Sequence, residues 1–493
     1  MKQAQQILID NYLKIIFSIL FGLLVLAFYI YTHPEYLQIA ESPPRFQIFL
    51  ILFLVYAIPV AVNKILQSKL QNFNLPVLFP MVLTFFAGLY VPQYFLLKEI
   101  GYLENADFLF YTRLTISVLG GTLWIVFICW LTGAIVEVGN ESVHQPFIKT
   151  IMLQTGKGIM VITLVLFLLG KFNLLNSISL WIYSGIIVII GVGFRKKILK
   201  AISFQPTKIT DFSIWGHLLI FGIITILAFN FMEQLRPVPT GYDGMTVYAN
   251  LSFLLADYQK LVPGFGAYNW SLFASIGMIL FEKPEMILMA NFQIVVLSLI
   301  TFYWLLKSQF GKTPALLGVL LLAVLPSLNR MVYMQQKVEG AFLFFTLILL
   351  IQVFQLLKNP NRLKIVIEIG LTAGFLFGIK LTSILLIIPI IIGIWYINTG
   401  FWGLLAATCG AFLVLMNANL DFFSGLSIWN RPSPIYLWVL AFGLISSLVA
   451  LIFQNKNTLW LSVKHTAIII AMLLITFAPW AYKNSQEIDQ LSF

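Results

Sequence analysis

Runs of about twenty apolar residues, each long enough to cross a bilayer as a helix, recur along almost the whole chain. Within these runs the apolar residues do not alternate with polar ones, as they would in the strands of a membrane β-barrel. The pattern predicts an all-α, polytopic membrane protein with about 13 to 15 transmembrane helices. The predicted spans are 13–31, 46–62, 75–97, 113–136, 151–170, 177–194, 212–232, 285–306, 314–328, 340–357, 365–379, 381–397, 402–417, 435–454 and 464–481.

Composition supports lipid as the solvent of this protein. Hydrophobic residues make up 60% of the 493 residues and charged residues only 10%, whereas soluble domains carry about 25% charged residues. The net charge of +11 does not indicate nucleic-acid binding, because the basic residues cluster in short connections between spans. The most basic connections, "FRKKILK" (194–200) and "KNPNRLK" (358–364), place the N-terminus in the cytoplasm by the positive-inside rule. We therefore expect a multi-pass protein of the cell membrane, in a bacterium the inner membrane.

The basic stretch 195–211 also predicts a domain boundary. It separates an N-terminal membrane region of six spans, residues 1–194, from a second membrane region, residues 212–493. The segment after Trp480 leaves a span and begins another external segment, so we expect a C-terminal part that follows Phe493 or lies on another chain. Cys129 and Cys409 fall inside apolar spans, which excludes a disulfide framework.

One external segment interrupts the apolar pattern: "GYDGMTVYANLSFLLADYQKLVPGFGAYNW", residues 241–270. Its first half has helical spacing and predicts an amphipathic helix on the outer membrane surface. The apolar stripe of that helix comprises Tyr248, Leu251, Leu255 and Tyr258. The polar face comprises Asp243, Asn250 and Asp257, which lie within about 40° of one another at 100° per residue. Tyr268 and Trp270 fit an interfacial aromatic belt.

Each polar residue of this loop also has a structural interpretation. Asp243 is a good N-cap for the predicted helix, which does not exclude a chemical role. Asp257 is expected to be a solvated surface acid, and Glu233 an anchor at the end of a span. Lys157 and Glu368, inside spans, are expected to be paired or to extend to the interface.

Several motifs together resemble a known family. "GYD" in the first external loop is followed by "YNWSLFASIGMILF" (268–281), "QQKVEGAFLFF" (335–345), "GLTAGFLFGIKLTSILLIIP" (370–389) and "FAPWAYKNS" (477–485). This series is similar to the GT-C superfamily of membrane glycosyltransferases, in particular to the branch that includes dolichyl-phosphate-mannose-type and aminoarabinose-type transferases. The resemblance covers about residues 210–493, and the first six spans are not part of it.

The resemblance implies a polyprenyl-phosphate-linked sugar as donor and a lipid or protein as acceptor, with transfer on the external face. The family uses an acid of the first external loop as general base, and Asp243 matches that position. Lys380 is expected to neutralise the leaving phosphate, although a lysine that extends to the interface would explain it equally well. Further residues expected to contact substrate are Lys337, Arg330, Glu339, Asp257, Asn250 and Trp270, with Arg431 a weaker candidate.

No cofactor is expected. Asp243 and Asp257 could share a divalent cation, but the loop supplies no third ligand. Besides the enzyme, two classes stay open: a transporter or lipid flippase of the cell envelope, and a non-catalytic membrane scaffold. The near absence of charge within the spans, and of matching halves, favours the enzyme over a transporter.

Overall fold

The structure is a computed structural model that describes residues 43–69, 74–99, 105–138, 147–201, 207–239, 244–325, 328, 337–359, 362–417 and 434–488. Within these ranges the chain is helical and contains a single isolated β-bridge, between Pro76 and Lys208. The predicted span 13–31 lies outside the described residues. The all-α, polytopic fold class predicted from the sequence is confirmed.

Fifteen α-helices build this part of the chain. They are α1 (Pro43–Lys69), α2 (Leu78–Glu99), α3 (Asn105–Glu137), α4 (Phe147–Lys171), α5 (Ser177–Gly193), α6 (Arg195–Ala201), α7 (Ile214–Glu233), α8 (Asn250–Tyr258), α9 (Asn269–Phe281), α10 (Glu285–Phe310), α11 (Lys312–Val324), α12 (Glu339–Lys358), α13 (Leu363–Ile379), α14 (Ile384–Asn417) and α15 (Pro434–Ile488). Short 3₁₀ turns at Ile209–Asp211 and Leu381–Ser383 and a π-helix at Gly244–Ala249 complete them.

Nine helices of the described ranges are long and apolar enough to cross a membrane, and each coincides with predicted spans. Helix α14 carries the two predicted spans 381–397 and 402–417. Its backbone leaves the helical region at Gly400, with φ 70° and ψ −150°, between these two spans. Only glycine adopts such angles without strain.

Two elements differ from the prediction. Helix α9, of 13 residues, was not predicted as a span, because residues 268–281 were considered only as a family motif that follows the external loop. Helix α15 contains both predicted spans 435–454 and 464–481 in one continuous helix of 55 residues. The connection predicted between them, "QNKNTLWLSVK" (454–464), contains neither glycine nor proline, and so nothing in it ends a helix.

The described residues divide into two compact units. The first comprises residues up to Val262 together with Trp270–Phe344, and the second comprises Pro263–Asn269 together with residues from Phe345. The predicted division into residues 1–194, 195–211 and 212–493 stays a prediction.

Close helix packing holds the first unit together. Helices α3 and α4 approach so closely that a Cβ at Gly133 would overlap the backbone of Gln154, and one at Gly158 would overlap that of Cys129. Helix α7 packs on α1 and α2, where the Tyr56 hydroxyl lies 3.1 Å from His217 Nδ1. Helices α9 and α10 form an antiparallel hairpin, in which Gly277 faces Met286.

In the second unit, α13 lies beside the second half of α15. Helix α14 runs antiparallel to α15. Small residues make the first contact possible: a Cβ at Gly374 would lie 2.7 Å from the carbonyl oxygen of Leu473. The Trp395 indole N–H of α14 donates to the Thr466 hydroxyl of α15 at 2.8 Å. Three residues, Leu381–Ser383, connect α13 to α14.

Candidate active site

The structure describes some of the predicted site residues and leaves others out. Asp243, Arg330 and Arg431 lie outside the described residues. Asp257, Asn250, Trp270, Lys337 and Glu339 belong to the first unit, and Lys380 belongs to the second.

The predicted surface helix is present as the π-helix Gly244–Ala249 followed by α8. Asn250 and Asp257 are exposed, while Leu251 and Leu255 are buried, as the helical spacing predicts. Tyr258, assigned to the apolar stripe, is instead 60% exposed. The reason is that the helix ends there, since Gln259 adopts left-handed angles with φ 55°.

The buried face of α8 is fixed by hydrogen bonds. The Ser252 hydroxyl lies 3.1 Å from the carbonyl oxygen of Tyr248 and 3.0 Å from that of Ser271 in α9. Because α8 is anchored to α9 in this way, the exposed Asn250 and Asp257 of α8 are held at a defined position in the first unit.

Arg236, which the sequence analysis did not single out, follows α7 at the start of the same loop. One nitrogen of its guanidinium, Nη1, lies 3.5 Å from Glu233 Oε2. The other two, Nε and Nη2, are buried and have no hydrogen-bond partner among the described residues. Guanidinium N–H groups are the donors that phosphate and carboxylate ligands bind through paired hydrogen bonds. Glu233, predicted to be an anchor, is the ion-pair partner of Arg236.

Asn269 is the polar centre of the loop 263–269, which belongs to the second unit. Its side-chain amide donates to the carbonyl oxygen of Phe375 in α13 at 3.0 Å, and its carbonyl oxygen accepts the indole N–H of Trp480 in α15 at 2.6 Å. Gly378 leaves room for this amide, because a Cβ there would overlap it. Three of the motifs that carry the family resemblance, "YNW", "GFLFGIK" and "PWAYKNS", therefore meet at one side chain.

Lys483 and Glu487 hold the rest of this loop against α15. The Lys483 ammonium donates to the carbonyl oxygen of Phe265 at 3.0 Å and pairs with Glu487 at 2.9 Å. It also lies 5.4 Å from the centre of the Tyr268 ring. Glu487 accepts the backbone N–H of Gly264 at 3.2 Å. Hydrogen bonds and an ion pair within the second unit therefore hold this loop in place. The sequence analysis had identified Lys483 only as part of a family motif.

Trp270 occupies the core of the first unit and not the predicted interfacial belt. It is 1% exposed, and its indole N–H donates to the Asn291 side-chain oxygen at 2.6 Å. Asn291 in turn donates to the carbonyl oxygen of Lys337 at 3.2 Å. The interfacial prediction is wrong for Tyr268 as well, because that ring is buried and its centre lies 4.3 Å from that of the Trp480 ring, with the two planes tilted by 59°. Burial of the Trp270 ring is possible because Asn291 accepts its indole N–H.

Lys380 lies at the break between α13 and α14. Its backbone is extended, with φ −154° and ψ 120°, and its side chain is half-buried. Gly378, two residues earlier, faces Asn269, so Lys380 lies at the end of α13 that carries the Asn269 contacts. Lys337 and Glu339 are also half-buried, and Glu339 occupies the first turn of α12, where a negative charge stabilises a helix.

The charged residues within spans are paired, as the structural interpretation predicted. Lys157 forms an ion pair with Glu137 at 2.5 Å, and Gln154 donates to the same carboxylate at 3.1 Å. Glu368 lies 3.6 Å from Lys364, one helical turn earlier. Among the described residues, no three His, Cys, Asp or Glu side chains come together to hold a metal ion.

Comparison with known families adds one finding. The family model described as dolichyl-phosphate-mannose-protein mannosyltransferase matches residues 267–429, which is 163 of the 493 residues. The match includes Asn269, Trp270, Lys337, Glu339 and Lys380, and it excludes Asp243. It confirms the predicted resemblance to the GT-C membrane glycosyltransferases over this range, and it supports the prediction of a glycosyltransferase. The comparisons with curated proteins and with solved structures found no match.

Proposed function

We propose that the protein transfers a sugar, mannose or a related sugar, from a polyprenyl-phosphate carrier to a lipid or protein acceptor on the external face of the membrane. The observation that carries this proposal is the match over residues 267–429. Within the matched residues, the Asn269 amide of the second unit donates to the carbonyl oxygen of Phe375. In the first unit, Trp270 bonds Asn291, which donates to the carbonyl oxygen of Lys337.

The proposed reaction is a direct displacement. The acceptor hydroxyl loses its proton to the Asp243 carboxylate while its oxygen forms a bond to the anomeric carbon. The bond from that carbon to the phosphate oxygen breaks, the polyprenyl phosphate leaves with the electron pair, and the sugar configuration inverts. Negative charge accumulates on the leaving phosphate, which requires cations nearby.

Two cations are the candidates for the phosphate. Lys380 matches the lysine that ends a small-residue helix in the family, and it follows an apolar helix of 17 residues. Arg236 precedes Asp243 by seven residues in the same loop and has two buried N–H donors without a partner among the described residues. Its planar guanidinium binds phosphate through paired hydrogen bonds.

Asp243→Asn tests the general base. Asparagine caps a helix about as well as aspartate but does not accept a proton at neutral pH. We expect sugar transfer from a labelled polyprenyl-phosphate donor to fall by about 10²–10⁴-fold, while expression and thermal stability stay unchanged. The assay uses membranes that contain the wild-type chain or the variant.

Glu282→Gln is the control, since this exposed acid lies between α9 and α10 and is not among the residues expected to contact substrate. Its transfer rate should equal that of the wild type. In the same assay, Arg236→Gln should weaken donor binding. Equal activity of the Asp243 and Glu282 variants would remove Asp243 from the mechanism. A wild-type chain that transfers no sugar would favour the transporter or scaffold.

A further inference from the structure

Three lysines from separate helices of the first unit lie around the turn that connects α10 to α11. Lys307 belongs to the last turn of α10, and Lys312 is the first residue of α11. Gly311 forms the turn between them with φ 88°, and its N–H donates to the carbonyl oxygen of Lys307 at 3.2 Å. Lys149, near the start of α4, is the third. We call Lys149, Lys307 and Lys312 the lysine cluster.

Each ammonium group of the lysine cluster lies over an aromatic ring, and such contacts restrict where the charge lies. The rings are Trp304 for Lys149 at 5.4 Å, Tyr303 for Lys307 at 5.8 Å and Phe212 for Lys312 at 5.5 Å. Because Trp304 and Lys307 are one helical turn apart, they lie on the same face of α10. The contact with Trp304 therefore brings the charge of Lys149 to the face of α10 that carries Lys307.

The lysine cluster has little acidic charge against it. The Lys312 ammonium donates to the backbone carbonyl oxygen of Asp211 at 3.2 Å, while the Asp211 carboxylate accepts the backbone N–H of Lys208 at 2.9 Å. In the part of the chain that the structure describes, neither Lys307 nor Lys312 forms an ion pair with a carboxylate. Lys208 is exposed and adds positive charge beside the cluster. This surface therefore suits an anion.

Apolar side chains are exposed beside the same lysines. The Ser213 and Thr313 hydroxyls lie 3.4 Å apart, so the start of α7 adjoins the start of α11. The exposed apolar side chains at these helix ends, each more than half exposed, are Phe310, Ile214 and Trp215. A phospholipid matches positive charge next to apolar surface with its phosphate and its acyl chains. A free phosphate ion matches the charge alone.

We propose that the lysine cluster binds the headgroup of an anionic phospholipid. The lipid phosphate accepts hydrogen bonds from the Lys307 and Lys312 ammonium groups, and Lys149 adds a third positive charge. The site lies about 24 Å along α10 from Asn291, so it is independent of the glycosyl transfer proposed above. The lipid joins α4, which the family match does not include, to α10 and α11, which it does.

The test is native mass spectrometry of the purified full chain, with phosphatidylglycerol as the anionic lipid and phosphatidylcholine as the neutral one. The wild type should retain phosphatidylglycerol in preference. Lys307→Gln combined with Lys312→Gln should weaken phosphatidylglycerol binding by about 25-fold, since each lysine near an anionic headgroup contributes roughly a 5-fold factor. Binding of phosphatidylcholine should not change. A wild-type chain without preference for the anionic lipid would overturn the proposal.

Lys196→Gln combined with Lys197→Gln is the matched control. This pair removes the same charge from exposed positions of α6, and Lys197 also lies over a ring, that of Phe194, at 5.9 Å. The control should bind phosphatidylglycerol as the wild type does. Equal losses in both double variants would show that diffuse charge attracts the lipid, and the site would be wrong. If the cluster variant does not fold, Lys307→Gln alone, at an exposed position, should still weaken binding by about 5-fold.

A second measurement separates a lipid from a free anion. Phosphatidylglycerol should raise the melting temperature of the wild-type chain, because a ligand that binds only the folded state stabilises it. Phosphatidylcholine and inorganic phosphate should not. A rise with inorganic phosphate that Lys307→Gln abolishes would make the occupant a free anion and overturn the assignment to a lipid.

Discussion

At the scale of single residues, the side-chain amide of Asn269 contributes to the stability of the fold through two hydrogen bonds, one of them with Trp480. The amide of Asn269 satisfies a carbonyl group of α13 and the indole N–H of α15 at once. Both partners are buried, so each hydrogen bond matters mainly through the cost of leaving its partner unpaired.

We expect Asn269→Leu to reduce the free energy of unfolding by about 1–3 kcal/mol, because it leaves the Trp480 N–H buried without an acceptor. Trp480→Phe keeps a ring against Tyr268 and removes that N–H. The double variant should therefore cost less than the sum of the two single variants. Unfolding in detergent, followed by tryptophan-independent far-UV signals, measures all three, with the exposed Asn250→Leu as control. Strict additivity would mean that the two side chains act separately.

Sequence patterns identified these residues better than they identified their roles. Helical spacing correctly placed Asn250 and Asp257 on the exposed face of α8. The motifs around Asn269, Trp270 and Trp480 were recognised as family signals, but Trp270 was assigned to an interfacial belt. Its partner, Asn291, lies 21 residues away, and no local pattern indicates which amide accepts an indole N–H. Arg236 was missed because the burial of its guanidinium and its hydrogen-bond partners depend on the folded structure and not on the local sequence.

At the scale of helices, glycines determine how closely α13 and α15 approach. A Cβ at Gly374 would lie 2.7 Å from the carbonyl oxygen of Leu473 and 2.8 Å from Thr476 Cβ. Small residues at such positions let helix backbones come close together. The van der Waals packing that this closeness permits helps to hold helices together in lipid.

Gly374→Ala should therefore separate α13 from α15 and lower the free energy of unfolding by about 1–3 kcal/mol. Gly393→Ala in α14 is the control, since nothing lies within 4 Å of the Cβ it would add. That change should leave stability unchanged or raise it by up to about 1 kcal/mol, because alanine favours helix over glycine. Thermal melts of both purified variants give the comparison, and an equal response would show that the close approach is unimportant.

Helix positions followed from hydropathy wherever a run was long enough to span. All nine long helices of the described ranges were predicted, and the break at Gly400 fell between two predicted spans. The 13-residue helix α9 was not predicted, because its residues were considered only as a family motif that follows the external loop. The continuity of α15 was not predicted, because the polar stretch 454–464 was interpreted as a loop. The residues of this stretch are nevertheless compatible with a helix.

At the scale of the whole molecule, the predicted orientation places α6 and α8 on opposite sides of the membrane. Arg195, Lys196 and Lys197 of α6 are exposed and belong to the most basic connection, which the positive-inside rule assigns to the cytoplasm. Asp257 is exposed at the end of α8, in the loop expected outside.

Cysteine labelling tests this orientation. The two native cysteines, Cys129 and Cys409, are 1% and 7% exposed, so the wild-type chain should give little background. In intact cells, a membrane-impermeant maleimide should label Asp257→Cys, and it should label Lys196→Cys only after permeabilisation. The reverse pattern would invert the orientation, and labelling of both variants in intact cells would place the two helices on one side.

The burial of α9 has a consequence for how the chain is made. Thirteen residues of helix extend about 20 Å, less than the roughly 30 Å of the hydrocarbon layer, and most of the residues of α9 are buried. A segment this short, with two serines and an asparagine, does not suit insertion by itself when it emerges from the ribosome. It needs α10 as its hairpin partner and α8 as its hydrogen-bond partner. We therefore expect a late step in the biogenesis of this protein, in which α9 enters the bundle only after the helices synthesised before and after it are already in the membrane.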